Sequence, residues 1–166
     1  MVRVGVAAPR FDCRAVVEGR LARLDWGRLH DNKTLVLLFD PAGGAAHPAE
    51  YLIAVGNAVA RAAGPIARVA VVCRNDPDEA LAWANRPRAD GGPGALAFPL
   101  IVDPAGRVAA LYDLLGDGRT QLWGQVIIDP AGIVRQAAVG GFTIYPGVDE
   151  LLRCIQAVGA SADAEL

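Results

Sequence analysis

A continuously apolar run of strand length and a second, mostly apolar one, separated by an amphipathic helical segment, constrain the fold of this chain more than any other feature. The runs cover Thr34–Phe39 and Ala67–Val72, and strands without polar alternation are expected at the centre of a sheet covered on both faces. Between them, apolar residues recur at helical spacing from Pro48 to Ala63. Gly64-Pro65 then stops the helix. This pattern predicts an α/β protein.

The other segments predict further strands and helices around this unit. A hairpin is expected over Phe11–Trp26, with its turn at Glu18-Gly19-Arg20. The later elements are predicted at Asp78–Asn85 (helix), Leu100–Val102 (strand), Val108–Leu114 (helix), Gln125–Ile128 and Ile133–Val139 (antiparallel strands) and Asp149–Val158 (helix). This order predicts a central mixed β-sheet with helices on both faces and an N-terminal β-hairpin extension. With 166 residues and no linker or repeat, we expect a single domain over residues 1–160 and a short tail over 161–166.

Charge and composition argue against several classes of function. The net charge is −2 with both signs interspersed, which leaves no basic stripe for nucleic acid and no polybasic patch for a membrane surface. The longest apolar runs have strand length, well below the ~20 residues that a membrane span needs. The first residues do not resemble a secretory leader. We therefore expect a soluble, cytoplasmic protein.

The three cysteines and two histidines are sparse. Cys13, Cys73 and Cys154 are far apart in sequence and form no C-x-x-C pair, which argues against a disulfide framework. With only His30 and His47 beside them, no metal site and no cofactor are predicted. A structural role as small hydrophobic residues is favoured for the cysteines, although a redox role stays open.

The stretch from Pro41 to Glu50 is the candidate site, because it joins a strand end to a helix N-terminus. It contains glycines, alanines and His47, but no cysteine, serine, threonine or lysine. Such a loop is where α/β domains place their chemistry. Here the side chains usually needed for that chemistry are missing.

Several segments, taken together from about Val4 to Val158, resemble the peroxiredoxins (the AhpC/TSA, or alkyl hydroperoxide reductase C, family of antioxidant oxidoreductases). The segments that carry the resemblance are Val6-Ala-Ala-Pro9-Arg-Phe11, Val36-Leu-Leu-Phe39-Asp-Pro41, Leu81-Ala-Trp83-Ala-Asn85-Arg-Pro87-Arg, Phe98-Pro99-Leu100-Ile-Val-Asp103, Gly124-Gln-Val-Ile-Ile128-Asp129 and Val148-Asp-Glu150-Leu-Leu-Arg153. The resemblance implies a thioredoxin-like fold.

The resemblance also implies a site whose reactive groups are replaced in this chain. The family pattern P-x-x-x-[TS]-x-x-C, followed by P-x-E, supplies a thiolate and a hydroxyl, and a later arginine lowers the thiol pKa. Pro41, Pro48 and Glu50 remain, but the loop is about one residue shorter and the cysteine position falls on His47. The hydroxyl position falls among Gly43, Gly44 and Ala45, the arginine position on Trp123, and no resolving cysteine follows Ala160.

The replaced residues leave alternatives open. His47 is either a general base, proton relay or ligand, or a polar residue left in a site that lost its task. Trp123 either makes the pocket suitable for a flat or hydrophobic ligand or fills the volume of the lost arginine. Glu50 either orients His47 or caps the helix, or forms a surface ion pair.

The leading hypothesis is a peroxiredoxin-like protein without cysteine peroxidase activity, because imidazole forms no counterpart of sulfenic acid. Its pocket, with Pro41, His47, Glu50 and Trp123, would bind a small molecule or support different chemistry. The alternatives are an enzyme that uses His47 on a small substrate, and a non-catalytic assembly partner. Since peroxiredoxins often dimerise, at least a homodimer is expected, with the strand Gly132 to Gly140 as a candidate edge.

Overall fold

The computed structural model describes residues 2–41, 49–64, 66–117, 120–140 and 147–163. In chain order the elements are β1 Cys13–Val17, β2 Arg20–Leu24, α1 Trp26–His30, β3 Thr34–Asp40, α2 Ala49–Ala63, β4 Ala67–Cys73, α3 Pro77–Ala84, β5 Leu100–Val102, α4 Arg107–Leu111, β6 Leu115–Gly116, β7 Thr120–Gln121, β8 Trp123–Ile128, β9 Val134–Gly140 and α5 Val148–Asp163. A single 3₁₀ turn, Arg88–Asp90, lies between α3 and β5.

Seven of the strands form one mixed sheet in the order β2-β1-β5-β4-β3-β8-β9. The pairs β3–β4 and β4–β5 are parallel, and the pairs of β1 with β2 and β5, and of β8 with β3 and β9, are antiparallel. β3 and β4 are therefore central, as their predominantly apolar sequences predict. The mixed sheet with an N-terminal hairpin confirms the predicted fold class.

Each face of the sheet packs against its own set of helices. Val36 and Leu38 of β3 contact the core that includes residues of α2, α3 and α5. Leu35, Leu37 and Phe39 lie in the other core, which includes residues of α1 and α4. Because successive side chains of a strand point to opposite faces, both sets of β3 must be apolar, which explains its continuous hydrophobic run.

The hairpin turn forms where the sequence predicts it. Glu18 and Gly19 both have positive φ angles, 49° and 74°. Two successive residues of this kind match the right-handed twist of the strands that they join. The side-chain amide of Asn85 donates to the carbonyl of Gly19 at 3.0 Å, so the end of α3 secures the turn.

Three features differ from the sequence prediction. α5 continues to Asp163, so the first residues of the predicted tail are helical. The short helix α1 and the two-stranded β6–β7 sheet were not expected, because five residues or fewer carry no readable periodicity. α1 is held by local contacts instead. The Asp25 carboxylate caps it by accepting from the Arg28 amide at 2.8 Å, and the Trp26 ring stacks on His30 with centroids 5.4 Å apart.

Among the described residues, no helix combines the length and the apolar character needed to cross a bilayer.

Candidate functional site

The candidate site lies where β3 ends and α2 begins. β3 closes with Asp40, Pro41 follows it, and the described part of α2 starts at Ala49. Four of the predicted site residues lie outside the described residues: Gly43, Gly44, His47 and Pro48. The geometry of the site is therefore defined by its flanking residues.

Among the predicted site residues, Trp123 is the one that the sheet places next to the end of β3. Phe39 pairs with Gly124 across the antiparallel β3–β8 ladder, so Trp123 lies beside the end of β3. Strand alternation places Trp123 on the same face as Ile127, which packs in the core that includes α2 residues. Its side chain is buried, with 6% exposed. Trp123 therefore lies on the face that α2 covers, at the end of the sheet where β3 leads into Pro41.

Glu50 lies at the solvent-exposed start of α2. It is the second residue of α2 and is exposed, and a carboxylate in a first helical turn is stabilised by the helix dipole. With Arg88, Gly91 and Gly92 it lines a groove of about 520 Å³, and Trp123 does not line that groove. In the described part of the chain, no cation lies within ion-pair distance of Glu50.

A group of buried polar side chains at the same sheet end escaped the sequence prediction. Asp40 and Cys73 are neighbours in the parallel β3–β4 register, with exposed fractions of 1% and 0%. Gln121 is also buried, and its amide donates to the Val72 carbonyl at 3.2 Å. In the sequence, the change from apolar to polar residues where β3 and β4 end could have indicated Asp40. This change does not indicate that β7 folds back onto β4 and brings Gln121 there.

Gln125 adds an acceptor beside Trp123. It lies two residues after Trp123 on the same face of β8, with 1% exposed. Among the described residues, its Oε1 atom, like that of Gln121, has no hydrogen-bond partner. A buried polar atom without a partner typically costs ~1–3 kcal/mol, so such atoms are uncommon in a folded core. The site thus presents an indole and an unpaired amide oxygen on one strand.

Burial keeps Cys73 in the thiol form. Desolvation raises the pKa of Cys73 to about 12, and the carboxylates of Asp40 and Asp103 act in the same direction. Its Sγ donates to the carbonyl oxygen of Ile101 at 3.4 Å. A thiol in this environment is a poor nucleophile, because the thiolate is the reactive species.

The other two cysteines lie on β1 and α5. Cys13 begins β1, and burial, followed by the nearby charge of Asp12, raises its pKa to about 11. Cys154 lies on α5, where its Sγ donates to Glu150 Oε1 at 3.9 Å. All three cysteines are free, and no two of them form a disulfide.

The described residues offer no metal centre, since no three His, Cys, Asp or Glu side chains among them cluster in a way that could hold an ion. The described histidine, His30, is a buried side chain bonded to the backbone. It is 5% exposed, and its Nε2 is 2.7 Å from the carbonyl oxygen of Asp129.

Comparison with known proteins places this geometry in context. The model of the AhpC/TSA family matches residues 4–137. Peroxiredoxin-2 of Macaca fascicularis is 34% identical over 158 residues, which span 93% of this chain and 78% of that protein.

Two solved structures have the same fold. The reduced two-cysteine peroxiredoxin of Plasmodium vivax superposes with a TM-score of 0.85 at 27% identity, covering 96% of this chain and 98% of that one. Plasmodium yoelii Prx1a, modified at its N-terminus, superposes with a TM-score of 0.80 at 26% identity and covers 97% and 94% of the two chains. That modified protein forms an artifactual octamer.

Proposed function

Because the chain belongs to the AhpC/TSA family of peroxiredoxins, we propose that it is a member without thiol peroxidase activity. In this proposal, the site between β3 and α2 binds a small molecule or supports different chemistry. Pro41, His47, Glu50 and Trp123 are its candidate residues, with Gly43, Gly44 and Pro48 in the loop between them.

The observation that carries the proposal is the position and state of the three thiols. Peroxide reduction in this family needs a thiolate at the start of the helix after β3, and the segment from Pro41 to Glu50 has no cysteine. Cys13 and Cys73 have raised pKa values, so at neutral pH they are protonated. Cys154 is on the last helix of the chain.

The surroundings of Trp123 support a change in what the site accepts. An indole in place of a guanidinium removes a positive charge and adds a large apolar surface. The unpaired Gln125 Oε1 on the same strand face can accept one hydrogen bond. In this proposal the ligand is flat and mainly apolar, with one N–H or O–H donor for the Gln125 Oε1 atom.

Steady-state consumption of hydrogen peroxide tests the proposal. The reduced protein is assayed with dithiothreitol and, separately, with thioredoxin and its reductase, against the same mixtures without the protein. We expect no consumption above these controls, and the same result for a variant with Cys13, Cys73 and Cys154 changed to alanine. A robust rate that disappears in this variant would contradict the proposal.

We also propose that the protein acts in the cytoplasm as a homodimer or larger homo-oligomer. The argument for self-association is the partly uncovered edge of β9, treated in the Discussion.

A further inference from the structure

A second cleft, of about 630 Å³, lies at the carboxyl end of β5, where β1 and α4 begin. Three arginines line it: Arg14 of β1, Arg23 of β2 and Arg107 at the start of α4. All three are exposed. In open α/β sheets, ligands bind in crevices outside the carboxyl ends of the strands. The cleft therefore combines a favoured location with a concentration of cations.

Arg14 and Arg23 are direct partners in the antiparallel β1–β2 ladder. Side chains at such positions lie close together, and like charges there destabilise the pairing. Within the described part of the chain, no carboxylate lies within ion-pair distance of Arg14, Arg23 or Arg107. The described structure thus holds two facing cations without a carboxylate partner for either.

Protection of the sheet edge does not explain this arrangement. β2 is an edge strand, and charged side chains on edge strands prevent unwanted pairing, which accounts for Arg20 and Arg23. Arg14, however, is on β1, an inner strand between β2 and β5. A cation at position 14 adds repulsion without protecting an edge.

Two carboxylates also line the cleft, but they do not cancel the three guanidinium groups. Asp103 is 4% exposed, and its Oδ2 accepts from the Ala109 amide at 3.0 Å, so this oxygen already binds the α4 backbone. Asp12 makes no ion pair with the arginines in the described structure. The cleft keeps an excess of positive charge.

An apolar surface lies beside the cations. Val102 is the partner of Arg14 across the β1–β5 ladder and lines the cleft, as do Val108 and Leu111 of α4. Leu111 is 48% exposed, so its side chain offers apolar surface to a molecule in the cleft. A ligand that fits both features carries an anionic group and an apolar body.

We infer that this cleft binds an organic phosphate. The phosphoryl group lies between the facing guanidinium groups of Arg14 and Arg23, with Arg107 as a third cation, and the apolar body rests on Leu111. A phosphoryl dianion suits the pair because each guanidinium can donate two parallel hydrogen bonds to phosphate oxygens. Its charge also relieves the repulsion between the two cations.

Isothermal titration calorimetry at constant ionic strength tests this inference, with phenyl phosphate, inorganic phosphate and phenol as probes. We expect saturable binding of phenyl phosphate at one site, weaker binding of inorganic phosphate and none of phenol. Arg14→Gln and Arg23→Gln should each weaken phenyl phosphate binding at least tenfold. Arg20→Gln is the matched control, because Arg20 is on the same strand as Arg23 but on its opposite face.

A further variant separates the two parts of the ligand. Leu111→Ser should weaken binding of phenyl phosphate and leave that of inorganic phosphate unchanged. Circular dichroism verifies that each variant is folded, and Arg14→Lys provides a second test at position 14 if the glutamine variant is unstable. No saturation with millimolar phenyl phosphate, equal binding of phenol, or an equal loss in Arg20→Gln would overturn the inference.

Discussion

Cys73 illustrates how burial, and not identity, determines what a side chain can do. It lies at the end of β4, next to Asp40, in the region where a family member places its chemistry. With no exposed surface and neighbouring carboxylates, its thiol is held in the protonated form. The same environment makes the stability of the protein depend on pH.

The free energy of unfolding should fall as the pH rises from 9 towards 12. The thiol pKa is 9.0 in the unfolded chain and about 12 for Cys73 in the folded one. Above pH 9 the unfolded state therefore loses its proton first, and stability that is complete below pH 9 is lost. Burial raises the pKa values of Cys13 and Tyr112 too, so they act in the same direction.

Urea denaturation at pH 8.0, 9.5 and 10.5 measures this effect. Cys73→Ala should reduce the fall between pH 8.0 and 10.5, while Cys154→Ala should leave it as in the parent protein. For each protein, the quantity compared is the difference between its unfolding free energies at pH 8.0 and pH 10.5. A loss of stability that is the same at both pH values, caused by the smaller side chain, cancels in this difference. Equal falls in the parent protein and Cys73→Ala would contradict the burial argument.

The sequence predicted some of the site residues but not their surroundings. Pro41 was identified because it follows a recognisable strand pattern. The resemblance to the peroxiredoxins identified Trp123 as a replaced arginine, but local sequence does not contain the β3–β8 register that brings it beside Asp40. Gln125 was part of a predicted strand, and its burial depends on how α2 and α5 cover that strand.

The helix α2 contains a glycine whose missing side chain is a packing requirement. A Cβ atom built on Gly56 would lie 2.7 Å from two ring carbons of Phe98, and the ring is itself buried. By contrast, a Cβ on Gly159 of α5 would have nothing within 4 Å. The two positions therefore separate the intrinsic cost of a helical glycine from its role in packing.

Gly56→Ala should destabilise the protein and Gly159→Ala should stabilise it. Alanine is favoured over glycine inside a helix by ~1 kcal/mol, and this gain should appear at position 159. At position 56, overpacking against Phe98 costs about 1–3 kcal/mol and outweighs that gain. Chemical denaturation of both variants provides the measurement. A stabilised Gly56→Ala variant would show that the ring moves aside at little cost.

Long, strongly patterned elements were predicted correctly, whereas the short elements α1, β6 and β7 were not predicted. The runs of β3 and β4 and the periodicity of α2 exceed what chance composition produces, so their positions agree closely with the structure. α1 depends on a cap and on a ring stack with His30, and β6 and β7 depend on each other. Such elements exist because of tertiary contacts, which local sequence patterns do not contain.

The arrangement of the sheet leaves part of one edge available for self-association. The N-terminal segment covers the beginning of β9, where the Gly5 amide donates to the Val134 carbonyl at 2.7 Å and the Val134 amide to the Val6 carbonyl at 2.9 Å. In the described part of the chain, no strand pairs with the outer edge of β9 beyond that segment. Val139, near the end of this edge, is 40% exposed. An uncovered edge of this kind favours pairing with a second chain.

We expect the protein to sediment as a dimer or larger assembly, and Val139→Lys to shift it towards the monomer. A lysine on an edge strand opposes pairing because its charge must remain in water. Ile66→Lys is the control, since Ile66 is 57% exposed in the turn before β4 and away from β9. Sedimentation velocity as a function of concentration distinguishes the species. A monomeric parent protein would contradict this prediction.

The most direct test of a lost peroxidase function compares thiol oxidation in the folded and unfolded protein. Reduced protein is mixed with hydrogen peroxide at pH 7.5, with and without denaturing urea, and the loss of free thiols is followed over time. Since folding raises the pKa values of Cys13 and Cys73, we predict slower oxidation in the folded state. Faster oxidation of any one cysteine in the folded state would reveal an activated thiolate and contradict the proposed function.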